Sequence, residues 1–143
     1  MTRGRQFPFD VTSVGAARRF VTDALGDAPA DVVDGVALMV SELATNSIRH
    51  AKTGFHLTVI SAPESVRVEV TDAGAGFPTV RSPGPTDPTG RGLKIVEAFS
   101  DEWGVEYGSP RNKTVWFTLA WAAKPTCTAQ PRSAQRSYAR RGL

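Results

Sequence analysis

Apolar and polar residues alternate along this chain with two different periods, and the changes of period mark out its elements. From Val14 onward, Val14, Ala17, Phe20, Val21 and Leu25 fall on one helical stripe, with Ser13 as the expected N-cap and Gly26 as the stop. Pro29 and Ala30 open a longer helix, expected from about Asp31 to Ala51. Its residues Val33, Val36, Ala37, Val40, Leu43, Ala44 and Ile48 gather into one apolar arc that must face a sheet. Residues 55–61 (FHLTVIS) and 66–71 (VRVEVT) switch to period two and predict a hairpin turning at Pro63. Gly and Pro then crowd residues 73–90, after which a short helix from Gly92 to Phe99 and two strands, Trp103 to Tyr107 and Thr114 to Trp121, are expected. A short edge strand around Phe7 to Phe9, where Pro8 is tolerated, completes the set. The order β, α, α, β, β, loop, α, β, β is best satisfied by an α+β fold: a two-layer α/β sandwich, its mostly antiparallel sheet covered by helices on one face.

Composition adds one division. The 143 residues amount to one ordinary domain, and 41% hydrophobic with 22% charged residues is a globular balance. Residues 1–123 carry twelve Lys and Arg against all fourteen Asp and Glu, whereas residues 124–143 carry five basic groups and no acid. The basic pI therefore belongs to a Pro-, Ser-, Gln- and Arg-rich stretch without apolar periodicity, expected to be a flexible tail outside a domain at 1–123. The folded part is mildly acidic and lacks a basic stripe, which argues against nucleic-acid binding by the body and leaves only the tail for it. No run approaches the ~18 apolar residues of a membrane span, and the first residues (MTRGRQFPFD) lack a signal-peptide core, so a cytoplasmic protein is expected. The single cysteine, Cys127, excludes an internal disulfide or multi-cysteine zinc site and is assigned no role. Trp103, Trp116, Trp121 and most Phe residues are expected in the core.

Three short constellations carry candidate chemistry. Glu42, Asn46 and His50 recur at i, i+4 and i+8, a polar ridge apart from the apolar arc. A carboxylate four residues from a carboxamide offers hard oxygens suited to Mg²⁺, which takes one or two protein ligands plus phosphates; a solvated helix face is the plainer explanation, and His50 is better read as a helix C-terminal charge. Asp72 leaves the second hairpin strand and is followed by Gly74 and Gly76, which permit close backbone approach by a flat ligand. A carboxylate there accepts from an exocyclic amine and so selects adenine over guanine; the plainer reading is an Asp-Gly turn. Residues 81–89 (RSPGPTDPT) could form a lid, and Gly90-Arg91-Gly92-Leu93 opens a helix whose free N–H groups suit an anion, or is a simple loop-to-helix junction. Their order is jointly restrictive where each alone is cheap. No Walker-type or dinucleotide glycine motif is present, and Ser41, Ser47 and Ser61 lack a G-x-S-x-G setting.

These residues resemble the Bergerat-fold (GHKL) ATP-binding superfamily, and in particular its small bacterial anti-sigma-factor serine kinases, over about residues 7–121. ELATNSIRH at 42–50 is similar to the family's N box, DAGAGF at 72–77 to its first glycine box and GRGLKIV at 90–96 to its second. The resemblance implies ATP and Mg²⁺ as cofactors, with Asn46 on the metal and Glu42 as general base. It implies Asp72 reading adenine, Gly74 and Gly76 beside the base, Gly90, Arg91, Gly92 and Leu93 at the phosphates, and Thr114 supporting adenine and its Asp. A chain of this length leaves no room for the helix pair of a histidine kinase or the extra domains of topoisomerases and chaperones. The implied partners are a sigma factor and an anti-anti-sigma protein carrying the acceptor serine, with homodimerisation also expected. A non-catalytic, ATP-dependent protein-binding module of the same fold is the alternative.

Overall fold

The computed structural model describes residues 1–73, 88–108 and 111–122. Their order is β1 (Thr2–Phe7), α1 (Thr12–Ala24), α2 (Ala30–Asn46), a π-helical turn (Ser47–Ala51), β2 (Phe55–Ala62), β3 (Ser65–Asp72), α3 (Pro88–Phe99), β4 (Glu102–Tyr107) and β5 (Lys113–Ala120). The strands form one sheet in the order β1-β2-β3-β5-β4, each neighbouring pair antiparallel. Helix α2 packs between α1 and α3, and the three cover one face of the sheet, so the α+β two-layer sandwich is observed. Among the described residues no helix is long and apolar enough to cross a membrane.

The period-two pattern explains the sheet. In β3, Val66, Val68, Val70 and Asp72 are buried in turn, while Ser65, Arg67, Glu69 and Thr71 face the other side. Val115 and Phe117 of β5 continue the inner face beside them. On the helix side, Val32, Val36, Met39, Val40, Leu43 and Ala44 of α2 meet this surface. The expected arc is right in Val36, Val40, Leu43 and Ala44, but it is rotated toward Val32 and Met39, leaving Val33, Ala37 and Ile48 half-buried. Phe7 stacks on Phe55 with centroids 5.2 Å apart and meets Phe20 edge-on at 5.9 Å, which pins β1 and α1 to the sheet.

Four expectations are corrected. Helix α1 is entered through Asp10, whose Oδ1 accepts from the Thr12 amide and hydroxyl at 2.9 Å each; Ser13 is inside the first turn, buried, and donates to the Pro8 carbonyl. The edge strand ends at Phe7 instead of starting there, because Thr2–Phe7 pairs along β2 despite having little apolar alternation, and Phe9 is exposed. The long helix does not run regularly to Ala51: it widens into the π-helical turn and stops at Lys52, at φ 59°. Of the three half-buried Trp residues, Trp103 and Trp121 pack against the core as expected but Trp116 does not, and Phe99 joins Phe9 on the surface. Trp116 lies on the uncovered sheet face, under the Arg67 guanidinium at 4.3 Å and against Gly104, where a Cβ would sit 2.8 Å from the indole.

Candidate functional site

A cleft opens where the end of α2 and the start of the π-helical turn pass over the ends of β3 and β5. Leu43, Val70, Leu93, Val105 and Val115 give it apolar walls, and Tyr107 stands at its edge, largely exposed. The polar groups that enter it are Asn46, Ser47, Asp72 and Lys113. An apolar slot with a few convergent polar groups is the usual form of a small-molecule site.

Asp72 is the inward position that follows Val70 on β3, so strand alternation delivers a carboxylate into the valine row at 5% exposure. Ser47 Oγ donates to Asp72 Oδ2 at 2.7 Å, a buried contact between residues far apart in the chain. Lys113 lies directly across from Asp72 in the β3–β5 register. Asn46, half-buried, is the last residue of α2 and shares the cleft with Asp72. Glu42, one turn earlier and also half-buried, is not part of the cleft lining. His50 is exposed in the π-helical turn.

The second glycine motif is placed by backbone alone. Helix α3 begins at Pro88, four residues before the expected start, since proline suits a first helical position. The first four N–H positions of a helix lack an intrahelical acceptor, so the backbone of Gly90 and Arg91 lies in the anion-favouring first turn and Gly92 closes it. Leu93 reaches the cleft wall. Gly74, Gly76 and residues 81–87 of the lid expected at 81–89 lie outside the described residues, as do 124–143, while Pro88 and Thr89 belong to α3.

Thr114 is not brought to the cleft. Its Oγ1 is 2.7 Å from Thr71 Oγ1 on the opposite face of the sheet. Strand parity explains the correction: Val115 and Phe117 face the helices, so Thr114 faces away and Lys113 faces in. Ser47, which the sequence excludes only as a hydrolase nucleophile, and Lys113 are cleft residues that none of the three motifs marks. The signal for Lys113 was two positions upstream of Val115, and that for Ser47 was its place beside Asn46.

A match to a model of the histidine kinase-like ATPase domain spans residues 7–119. The chain belongs to this family. As a histidine kinase-like ATPase domain it is an ATP-binding protein. A solved structure of the RsbU and RsbW domains of Rv1364c from Mycobacterium tuberculosis has the same fold, with a TM-score of 0.67 at 17% identity. That match covers 87% of this chain and 34% of the other, so the chain spans about a third of that protein's length. No curated protein matches it.

The donor set fits magnesium in one specific way. Among the described residues no cluster of three or more His, Cys, Asp or Glu is present that would hold a metal by itself. One carboxamide oxygen at the cleft suits an ion that keeps its waters and takes its other ligands from phosphates.

Proposed function

We propose that this histidine kinase-like ATPase domain is an anti-sigma-type regulator: it binds ATP, sequesters a sigma factor and phosphorylates a serine of an antagonist protein. The observation that carries the reading is the shared cleft of Asp72 and Asn46, one suited to an adenine amine and the other to the phosphate end of the same nucleotide. The likeness of residues 42–50, 72–77 and 90–96 to anti-sigma serine kinases supports the branch, as does the fold shared with a chain that contains an RsbW domain.

In this reading Asp72 accepts from the adenine amine while the apolar walls flank the ring. Gly74 and Gly76 let the backbone approach the base. Asn46 would hold Mg²⁺, which when bound would neutralise charge on the phosphates. The first-turn backbone at Gly90 and Arg91, continued by Gly92 and Leu93, receives the phosphate end. Glu42 accepts the proton of the serine hydroxyl as its oxygen bonds to the γ-phosphorus and the bond from that phosphorus to the bridging oxygen breaks, releasing ADP. Most of the acceleration comes from orientation and charge stabilisation, as is general for phosphoryl transfer. The outer edge of β1 offers a surface for pairing two copies, which a light-scattering mass of a monomer would refute.

One observation favours a second reading, a nucleotide-dependent binding switch without turnover: Glu42 is not among the described residues that line the cleft. The two separate in one experiment. The chain is mixed with γ-labelled ATP and candidate antagonist proteins; label on an antagonist serine supports the kinase, whereas bound, unconsumed ATP with partner capture supports the switch and refutes the kinase.

A further inference from the structure

Lys113 has no part in the chemistry assigned above, yet it opens β5 at a point where the strand is paired on both sides, with Asp72 of β3 and with Tyr107 of β4. The three residues form one row across the end of the sheet, and all three line the cleft. Directly opposite residues place their Cβ atoms about 4.5–5.5 Å apart, so a carboxylate, an ammonium and an aromatic ring follow one another along that row. Just past it, the Gly108 amide donates to the Asn112 carbonyl at 2.7 Å and closes the hairpin. The backbone of the half-buried Lys113 is thereby held while its four-carbon stem reaches the cleft. The one ion pair among the described residues, Arg67 with Glu69, is on the uncovered face of the sheet and leaves Lys113 out. Asp72 is differently placed: it accepts from Ser47 and holds a further interaction, and a carboxylate shares about four lone-pair sites among such contacts. A flat base held at its amine alone could still turn about that one bond, and a donor beside the carboxylate stops it.

We infer that Lys113 is a second base-binding residue: its ammonium donates to a ring nitrogen that flanks the exocyclic amine of adenine, and so fixes the base in the cleft. This rests on the reading that an adenine base lies at the Asp72 end of the cleft, and it takes from Asp72 only that position. Lysine carries three donors and no acceptor, whereas adenine flanks its amine with a ring-nitrogen acceptor on either side, N1 and N7. The two are complementary whichever edge of the base is presented.

The test is calorimetric titration of the full chain, in magnesium, with ATP, 1-deaza-ATP and 7-deaza-ATP, for wild type, Lys113→Met and Lys113→Arg. Each analogue replaces one of the two ring nitrogens by carbon. Wild type is expected to bind ATP about tenfold more tightly than one of the analogues, the effect of one hydrogen bond to a charged group, and that analogue identifies the nitrogen. Lys113→Met, which keeps the stem and removes the donor, is expected to lose the preference, and Lys113→Arg to retain most of it. A lysine that only packs, or only attracts the phosphates, would weaken all three ligands alike in the Met variant and leave the ratios unchanged. That result overturns the inference, as does a wild type that binds ATP and both analogues equally. If Lys113→Met does not fold, Lys113→Leu is judged by the same ratios. A wild type that binds none of the three overturns the reading of the cleft as a nucleotide site, and the inference with it.

Discussion

Thr114 and Thr71 face each other across β5 and β3 with their hydroxyl oxygens 2.7 Å apart, on the sheet surface that the helices leave uncovered. The pair lies behind Asp72 and Lys113, the next residue pair in the same register, which point the other way into the cleft. Thr114→Val is therefore expected to cost about 1 kcal/mol of stability, the worth of one hydrogen bond, while nucleotide affinity stays within about twofold of wild type. Denaturant unfolding and calorimetry measure the two quantities. A large loss of affinity at unchanged stability would return Thr114 to the site.

Asn46 and Glu42 are one helical turn apart, but only Asn46 lines the cleft. Asn46→Ala is expected to abolish most of the magnesium-dependent part of ATP affinity. Glu42→Ala is expected to bind ATP nearly as wild type and to lower phosphoryl transfer by about a hundredfold, the usual scale for a lost general base. Transfer at the wild-type rate by the Glu42 variant would show that another group takes the proton.

Gly54 precedes β2 where the chain passes close behind Phe7, and a Cβ built there would run into the Phe7 carbonyl oxygen. That atom is backbone, held in the β1–β2 pairing and carrying the stacked Phe7–Phe55 rings, so it has little room to yield. Gly54→Ala is expected to destabilise the fold by about 3 kcal/mol, at the upper end of overpacking costs. A melting temperature equal to that of wild type would contradict this.

The Asp10 carboxyl is held below its ordinary value of 3.8 by hydrogen bonds from the Thr12 amide and then the Thr12 hydroxyl. A depressed folded value means that the ionised carboxylate stabilises the fold above the ordinary value, and that this contribution fades as pH falls through the lowered one. Asp10→Asn is accordingly expected to be less stable than wild type at neutral pH, with the gap closing in acid below 3.8. Urea midpoints across that range measure it; a gap that widens on acidification would reverse the sign.

The inner face of β3 was legible because Val66, Val68 and Val70 set a parity that carries straight to Asp72. The same counting from Val115 and Phe117 would have put Lys113 inward. The family resemblance placed Thr114 there instead, one residue out of phase, and in a strand one residue is the other face. Ser47 was harder to read. Whether the residue after Asn46 meets the sheet depends on the rotation of α2, and the observed arc, which includes Val32 and Met39, differs from the one that apolarity alone had marked. The π-helical turn shifts the phase again just beyond Asn46. Strand β1 left little trace in its residues because an edge strand is held by pairing along β2, with only Phe7 buried.

The claim that an adenine nucleotide occupies the cleft is tested most directly by titrating the full chain with ATP in magnesium, and repeating the titration with Asp72→Ala. Saturable binding of one nucleotide per chain is predicted, weakened at least about tenfold in the variant by loss of a charged hydrogen-bond acceptor. An absence of saturable binding, or equal affinity in the two chains, would contradict the account.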